Sequence, residues 1–210
     1  FAGDFLLFCG CLGLARFVTV LAAMDTGSSF EGMGASREVA FSALVEPALF
    51  LALAALSRAS GDLSLSNMLG DLSEAAPNMA NLVALLVAGT LLVVLLAENA
   101  RIPIDDPTTH LELTMIHEVM VLDHSGPDLA AITYGASLKL WAFAALLVGT
   151  MLPFRTGMVL VDAAIWSGGL LFVVVLVGVI ESMMARLPMH HVPRLLVGAG
   201  VLAAVAMLVG

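Results

Sequence analysis

Residues 77–96 read PNMANLVALLVAGTLLVVLL, and residues 97–107 continue as AENARIPIDDP. The first stretch is uncharged and has the roughly 20 residues that a helix needs to cross a bilayer core of about 30 Å. The second stretch contains Glu98 and Arg101, and a charge exposed to lipid costs roughly 2.5–3.5 kcal/mol on insertion scales. Charges at the mouth of a span are therefore expected to lie against protein or water, which makes this stretch a candidate functional site.

The composition of the whole chain is that of a membrane protein. Of its 210 residues, 60% are hydrophobic and 12% are charged, whereas a soluble domain is roughly 45–50% apolar and about 25% charged. The net charge of −9 comes from carboxylates at loops and span ends, and no basic region indicates nucleic-acid binding. Cys9 and Cys11 point in different directions on a helix, so we interpret them as small apolar residues.

Hydropathy predicts six membrane-spanning helices, and hence an all-α, polytopic helical bundle with a single integral membrane domain over residues 1–210. The predicted spans are Phe5–Ala23, Val39–Leu56, Met79–Ala97, Ala130–Leu152, Ala163–Ile180 and Val192–Val209.

The arginines predict the orientation of the chain in the membrane. The first, third and fifth loops with their flanks carry four arginines, and the second and fourth carry two. Basic residues favour the cytoplasmic side, so we expect residues 24–38, 98–129 and 181–191 to be cytoplasmic. The chain opens with Phe1 in an apolar segment without a signal-peptide pattern, as expected of part of a longer chain.

Two of these loops carry further signals. In the third loop, Asp106 can cap a helix that has Pro107 at its first position, and apolar residues then recur every three or four positions. We predict a short amphipathic helix over about residues 106–123 from this pattern. The first loop has three glycines, which permit close backbone approach; it is interpreted as a docking loop for a partner protein, with a plain connector as the alternative.

Glu46 is an acidic residue inside the second predicted span, and Pro47 follows it. Proline frees a backbone carbonyl in a helix, which favours water and a bend at that depth. Carboxylates within membranes usually face the bundle interior and mark proton paths. Arg16 in the first span and Lys139 in the fourth are candidate partners of Glu46.

Glu98 and Arg101 are three residues apart and can pair on one helical face. One interpretation is an ion pair that marks the end of the span, and the other is a proton-accessible carboxylate near a buried cavity. Together with Glu46, Glu98 can belong to a carboxylate-lined route that also includes Glu112 and Glu118, although the sequence does not show that they converge. The spacing of histidines and cysteines predicts no metal or haem site.

Residues 97–105 resemble the Ala-Glu-x-x-Arg-x-Pro-Phe-Asp signature of the complex I subunit 1 family. Residues 34–37, with Glu46 nine positions after Arg37, resemble the Gly-Ala-x-Arg segment of that family and its following glutamate. Family members typically carry eight helices, so the resemblance implies that the first two are absent from this chain.

Three other stretches are closer to one branch of the family, the membrane subunits of formate hydrogenlyase and of hydrogenase-4-type group 4 nickel–iron hydrogenases. These stretches are residues 21–30, 106–118 and 122–127. The complex I branch has an acidic Pro-Glu-Gly-Glu run where this chain has Pro-Thr-Thr-His at 107–110, which favours a hydrogen-evolving complex.

The resemblance implies a membrane anchor and ion-coupling subunit in the inner (plasma) membrane, with no catalytic residue, metal or cofactor of its own. Its partners would be the iron–sulfur small subunit and the nickel–iron large subunit of a hydrophilic arm, antiporter-like membrane subunits and the lipid bilayer. The proton-path candidates are Arg16, Glu46, Glu98, Glu112, Glu118 and Lys139. The partner-docking candidates are Asp25, Ser28, Ser29, Arg37, Glu38, Arg101, Asp105, Asp106 and His110.

Two alternatives stay open at this point. The chain can be the quinone-pocket subunit of a complex I-like dehydrogenase, which quinone analogues would inhibit. It can also be a stand-alone secondary transporter, a class in which internal inverted repeats are common; the sequence shows none.

Overall fold

The computed structural model describes residues 2–70, 77–105, 116–152 and 156–210. Within these ranges the chain forms helices and no β-strand. The helices are α1 (Asp4–Asp25), α2 (Ser29–Ser60), α3 (Leu65–Gly70), α4 (Pro77–Glu98), α5 (Gly126–Met151), α6 (Val159–Met183) and α7 (Val192–Val209), with a 3₁₀ helix at Glu118–Val121. Among these, 6 helices are long and apolar enough to cross a membrane, which confirms the predicted all-α class and number of spans.

The core of the bundle lies where α2, α4 and α7 pack against one another. Small residues at these contacts let the helices approach closely, and Ala52 of α2 and Ala203 of α7 are completely buried. Thr90 of α4 adds a polar bridge, because its buried hydroxyl lies 3.3 Å from the carbonyl oxygen of Ala199 in α7. The centre of the bundle is therefore held by close helix packing together with a hydrogen bond between helices.

The outer helices present apolar side chains to the surroundings. Helix α1 packs on α2, α5 packs on α4, and α6 packs chiefly on α5. Leu14 and Phe17 of α1, and Leu171 and Phe172 of α6, are largely exposed. Such extensive apolar surface is rare on soluble monomers, whereas hydrocarbon chains cover it in a bilayer. The chain is a multi-pass membrane protein.

Helix α2 begins at Ser29, ten residues before the predicted start of its span at Val39. The predicted loop over residues 24–38 is therefore wrong for most of its length, since α1 continues to Asp25 and α2 takes up the chain at Ser29. The chain turns at Gly27, whose φ of 70° is readily adopted by glycine. Hydropathy detects the apolar part of a helix that lies in the lipid. A helix with charged residues can continue beyond the lipid, and for this reason hydropathy missed the first turns of α2.

The described part of the predicted amphipathic helix is a 3₁₀ helix at Glu118–Val121, and residues 106–115 lie outside the described residues. The amide groups of Ile116 and His117 donate to the Asp105 carboxylate, at 3.0 and 3.2 Å. These two amides therefore donate to a side chain and not to a carbonyl group of a helix. The carboxylate of Asp105 thus joins the chain before position 106 to the chain after position 115.

The three connections α1–α2, α4–α5 and α6–α7 lie at the same end of the bundle, and we refer to this end as the odd-loop face. The Leu187 amide donates to the Pro103 carbonyl at 2.9 Å, and Arg186 lies 3.3 Å from the Asp105 carboxylate. The completely buried Glu31 of α2 accepts from the amide of residue 123 at 2.9 Å. The odd-loop face is therefore a connected layer and not a set of independent loops.

Candidate functional site

The guanidinium of Arg16 contacts three carboxylates near the odd-loop face. Arg16 Nε lies 3.2 Å from Glu38 Oε1, its Nη1 contacts Glu46, and its Nη2 contacts Glu98. Glu38 and Glu46 are eight residues apart on α2, so they lie on the same side of that helix. Each of the three guanidinium nitrogens therefore faces a different carboxylate, an arrangement that suits the planar fork of arginine.

Lys139 of α5 adds a second cation. Its Nζ lies 3.6 Å from Glu98 Oε2, so Glu98 stands between a guanidinium and an ammonium. The Glu98 side chain is only 3% exposed. We call Arg16, Glu38, Glu46, Glu98 and Lys139 the Arg16 cluster. Its members come from α1, α2, α4 and α5, and only the folded bundle brings them together.

The charges of the Arg16 cluster do not balance. Three carboxylates face two cations, so the fully ionised cluster carries one net negative charge. Uptake of one proton by any of the three carboxylates makes the cluster neutral. A net charge is costly in a poorly solvated interior, so the cluster has the composition of a site that can take up and release a proton.

The carboxylates of the cluster differ in their access to the surroundings. Glu46 is 52% exposed at its side chain and lines a cavity of about 360 Å³ with Pro47 and Gly13. Glu98 also reaches this cavity. A second cleft of about 790 Å³ lies between α1 and α5, and its mostly apolar lining includes Arg16, Glu38, Glu98 and Lys139 of the cluster. Members of the Arg16 cluster therefore line two open clefts of the bundle.

The structure brings four of the six proton-path candidates together in the Arg16 cluster, namely Arg16, Glu46, Glu98 and Lys139. The pairing of Arg16 with Glu46 agrees with the sequence interpretation, whereas Lys139 contacts Glu98 instead of Glu46. Glu118 begins the 3₁₀ helix, and Glu112 lies outside the described residues.

The predicted pair of Glu98 and Arg101 is wrong. Helix α4 ends at Glu98, and Ala100 has a φ of 50° that turns the chain away. Arg101 consequently leaves the helical face of Glu98 and lies 3.3 Å from Glu181 of α6. The ion pair that marks the end of the span thus belongs to Arg101 and Glu181.

Two of the docking candidates are used inside the chain. Glu38 lies in the Arg16 cluster, which sequence reasoning missed because it placed this residue in a loop. Asp105 is 3% exposed and holds the Ile116 and His117 amides together with Arg186. Both carboxylates are therefore bound by groups of this chain.

The remaining docking candidates fall into two groups. Asp25 and Ser29 are exposed at the α1–α2 turn, and Ser28, Arg37 and Arg101 are partly exposed. Asp106 and His110 lie outside the described residues.

Sequence reasoning also missed His117, which lies beside the cluster. Burial lowers the pKa of His117 from 6.5 to about 4, with a further decrease from Lys139 and an opposing increase from Glu98. Its imidazole is therefore neutral at neutral pH. Among the residues that the structure describes, no group of three or more His, Cys, Asp or Glu side chains is arranged to hold a metal ion.

Comparison with known proteins relates this arrangement to a family. The family model described as NADH dehydrogenase matches residues 1–210. Hydrogenase-4 component C of Escherichia coli (strain K12) is 32% identical over 218 residues, which cover 99% of this chain and 67% of that protein. Formate hydrogenlyase subunit 4 of the same organism is 29% identical over 204 residues, which cover 92% of this chain and 64% of that protein. The chain thus spans about two thirds of the length of each relative.

Proposed function

The chain belongs to the NADH dehydrogenase family, that of complex I subunit 1, and from this membership we propose that it is the membrane anchor and ion-coupling subunit of a group 4 hydrogenase complex similar to formate hydrogenlyase. The names of its two relatives support the choice of branch. In this proposal, electrons move within a hydrophilic arm seated on the odd-loop face. The arm's small subunit carries iron–sulfur clusters and its large subunit a nickel–iron centre, and the present chain begins a proton path that antiporter-like membrane subunits continue.

The Arg16 cluster is the observation that carries the ion-coupling part of the proposal. Its one excess negative charge is removed when one proton binds. Electrostatic interactions are stronger in a protein interior than in water. A change of charge on a seated partner therefore alters how readily the cluster takes up or releases a proton.

In this proposal, few residues of the chain separate Glu98 of the cluster from the segment on which the partner sits. Glu98 is the last residue of α4, and the following segment, up to Asp105, is fastened to the odd-loop face by Arg186 and by the Leu187 amide. Coupling requires that the partner interact differently with two protonation states of the cluster. We propose that the partner docks on the α1–α2 turn, the start of α2 and the α4–α5 connection. The proposed contacts are Asp25, Ser28, Ser29, Arg37, Arg101, Asp106 and His110.

The orientation belongs to the same proposal. Arg37, Arg101, Arg186 and Arg194 lie toward the odd-loop face, and Arg58 lies at the opposite end of α2. This bias supports a cytoplasmic odd-loop face, on the side where the hydrophilic arm would be assembled, and the proposal sets the helices in the inner (plasma) membrane.

Replacing Glu98 with glutamine tests the proposed proton path. The amide keeps the shape of the side chain but cannot ionise, and the cluster then holds two carboxylates against two cations. We expect normal assembly and normal hydrogen production, with proton movement per hydrogen molecule lowered about tenfold or more. The measurement is proton uptake by membrane vesicles that contain the assembled complex.

Glu181→Gln is the matched control for that experiment. Glu181 is paired with Arg101 outside the cluster, so its amide variant should move protons at the wild-type rate. Wild-type proton movement in Glu98→Gln vesicles would contradict the role of Glu98 in the path.

Copurification tests the proposed complex independently of transport. When the membranes are solubilised in mild detergent and this chain is captured, we expect nickel–iron and iron–sulfur hydrogenase subunits to be recovered with it, together with antiporter-like membrane subunits. Mass spectrometry identifies them. Recovery of a dehydrogenase arm in place of the nickel–iron subunit would contradict the hydrogenase assignment.

A second function, quinone binding in a complex I-like dehydrogenase, is favoured by one observation. The cleft between α1 and α5 combines apolar walls with the charged groups of Arg16 and Lys139, which would suit a long apolar molecule with a polar head. Inhibition of the assembled complex by quinone analogues would support this function. Ion transport by the purified chain alone would instead support a stand-alone transporter.

A further inference from the structure

We propose that His117 is the residue that transfers protons between the odd-loop face and the Arg16 cluster. This inference rests on the proposed function, since it supplies the entry step of the same proton path. It is carried by the position of His117, which belongs to the odd-loop face by its backbone and lines the cleft between α1 and α5 with its side chain.

The cleft brings His117 together with most of the cluster. The charged residues that line it with His117 are Arg16 from α1, Glu38 from α2, Glu98 from α4 and Lys139 from α5. The imidazole therefore shares one cleft with the carboxylates of Glu38 and Glu98, and the charges of Lys139, Glu98 and Arg16 act on it.

The backbone around His117 is held in place from both sides. On one side, its amide donates to Asp105 at 3.2 Å. On the other, the segment that follows packs on α2, where a Cβ on Gly34 would meet the side chain of Val119. The next residues are fastened by Glu31, which accepts from the amide of Asp123. The backbone of residues 116–123 is thereby tied both to the end of α4 and to α2.

The charged neighbours of His117 influence its proton affinity in opposite senses. A neutral imidazole can accept a proton on one ring nitrogen and release the proton of the other, so the residue returns to its starting charge after each transfer. Of the charged neighbours, Lys139 and Arg16 lower the pKa of His117, and Glu98 raises it. An ionised Glu98 therefore favours proton binding by His117, and the proton that leaves the ring ends on the Glu98 carboxylate.

The test is the replacement His117→Ala in the assembled complex, followed by chemical rescue. We expect normal assembly and proton movement per hydrogen molecule that falls about tenfold or more. Imidazole in the medium should restore it, whereas pyrazole, which has a similar size but is far less basic, should not. His190→Ala is the control, since His190 is exposed on the odd-loop face and does not line the cleft.

Each outcome separates this inference from the proposed function. If Glu98→Gln stops proton movement and His117→Ala does not, the result supports the proton path through Glu98 and contradicts proton transfer by His117. If wild-type vesicles move no protons, the proposed function itself fails. Equal rescue by imidazole and pyrazole would show that the ring only fills space. If neither His117→Ala nor His117→Gln assembles, His117 is structural and the inference is overturned.

Discussion

Replacing Arg16 with glutamine is expected to lower the stability of the chain by about 3–5 kcal/mol, the loss measured when one partner of a buried ion pair is removed. The Arg16 side chain is 10% exposed and touches all three carboxylates of its cluster. Without it, Glu38, Glu46 and Glu98 face Lys139 alone, and three negative charges oppose one positive charge. The effect is measured as the midpoint of heat denaturation of the detergent-solubilised complex and as the amount of chain in the membrane.

Two further variants sharpen the Arg16 experiment. Arg16→Lys keeps the charge, but a compact ammonium cannot face three carboxylates as a planar guanidinium does, so an intermediate loss is expected. Arg58→Gln removes an exposed arginine from the far end of α2 and should change the midpoint little. An Arg16→Gln protein that is as stable as the Arg58→Gln protein would show that the cluster does not hold the bundle together.

The second large effect concerns Gly34 in α2. A Cβ at this position would overlap the Val119 side chain and lie 2.9 Å from the Ile116 carbonyl oxygen. The backbone oxygen cannot move aside without shifting the segment that carries His117. We expect Gly34→Ala to lower the free energy of unfolding by about 1–3 kcal/mol, the usual cost of overpacking, and to increase hydrogen exchange over residues 116–123.

Gly32 supplies the matched control, because it lies on the same helix two residues away. A Cβ at Gly32 would meet no heavy atom within 4 Å. Alanine is better than glycine inside a helix by roughly 0.5–1 kcal/mol, so Gly32→Ala should leave stability unchanged or raise it. If the two alanine variants had the same stability, the close approach of α2 and the 3₁₀ segment would not contribute to folding.

The sequence predicts the membrane-spanning part of this fold well and its odd-loop face poorly. Apolar length identifies all six spans, because the hydrocarbon thickness imposes that length. The start of α2 at Ser29 escapes the same criterion, since the first turns of this helix carry charges that the lipid does not select against. The 3₁₀ helix at Glu118–Val121 escapes it too, because its position depends on hydrogen bonds to Asp105 and Glu31.

The sequence predicts the site residues that carry a charge inside an apolar segment. Arg16, Glu46 and Lys139 are conspicuous for this reason, and the structure brings all three into one cluster. Glu38 was misplaced because its segment was interpreted as a loop. Glu31 was missed because it lies in the same segment. Glu31 and Glu38 are seven residues apart, a spacing that puts both on one face of a helix.

Asp105 ties the end of α4 to the segment that carries the 3₁₀ helix. Its carboxylate closes a ring, since it accepts from the amides of Ile116 and His117 across an intervening stretch of ten positions. The carboxylate of Asp105 therefore fixes the position of Ile116 and His117 relative to the end of α4. Loss of this one side chain would release residues 116 and 117 from the end of α4, while the contacts of the 3₁₀ segment with Glu31 and Gly34 of α2 would remain.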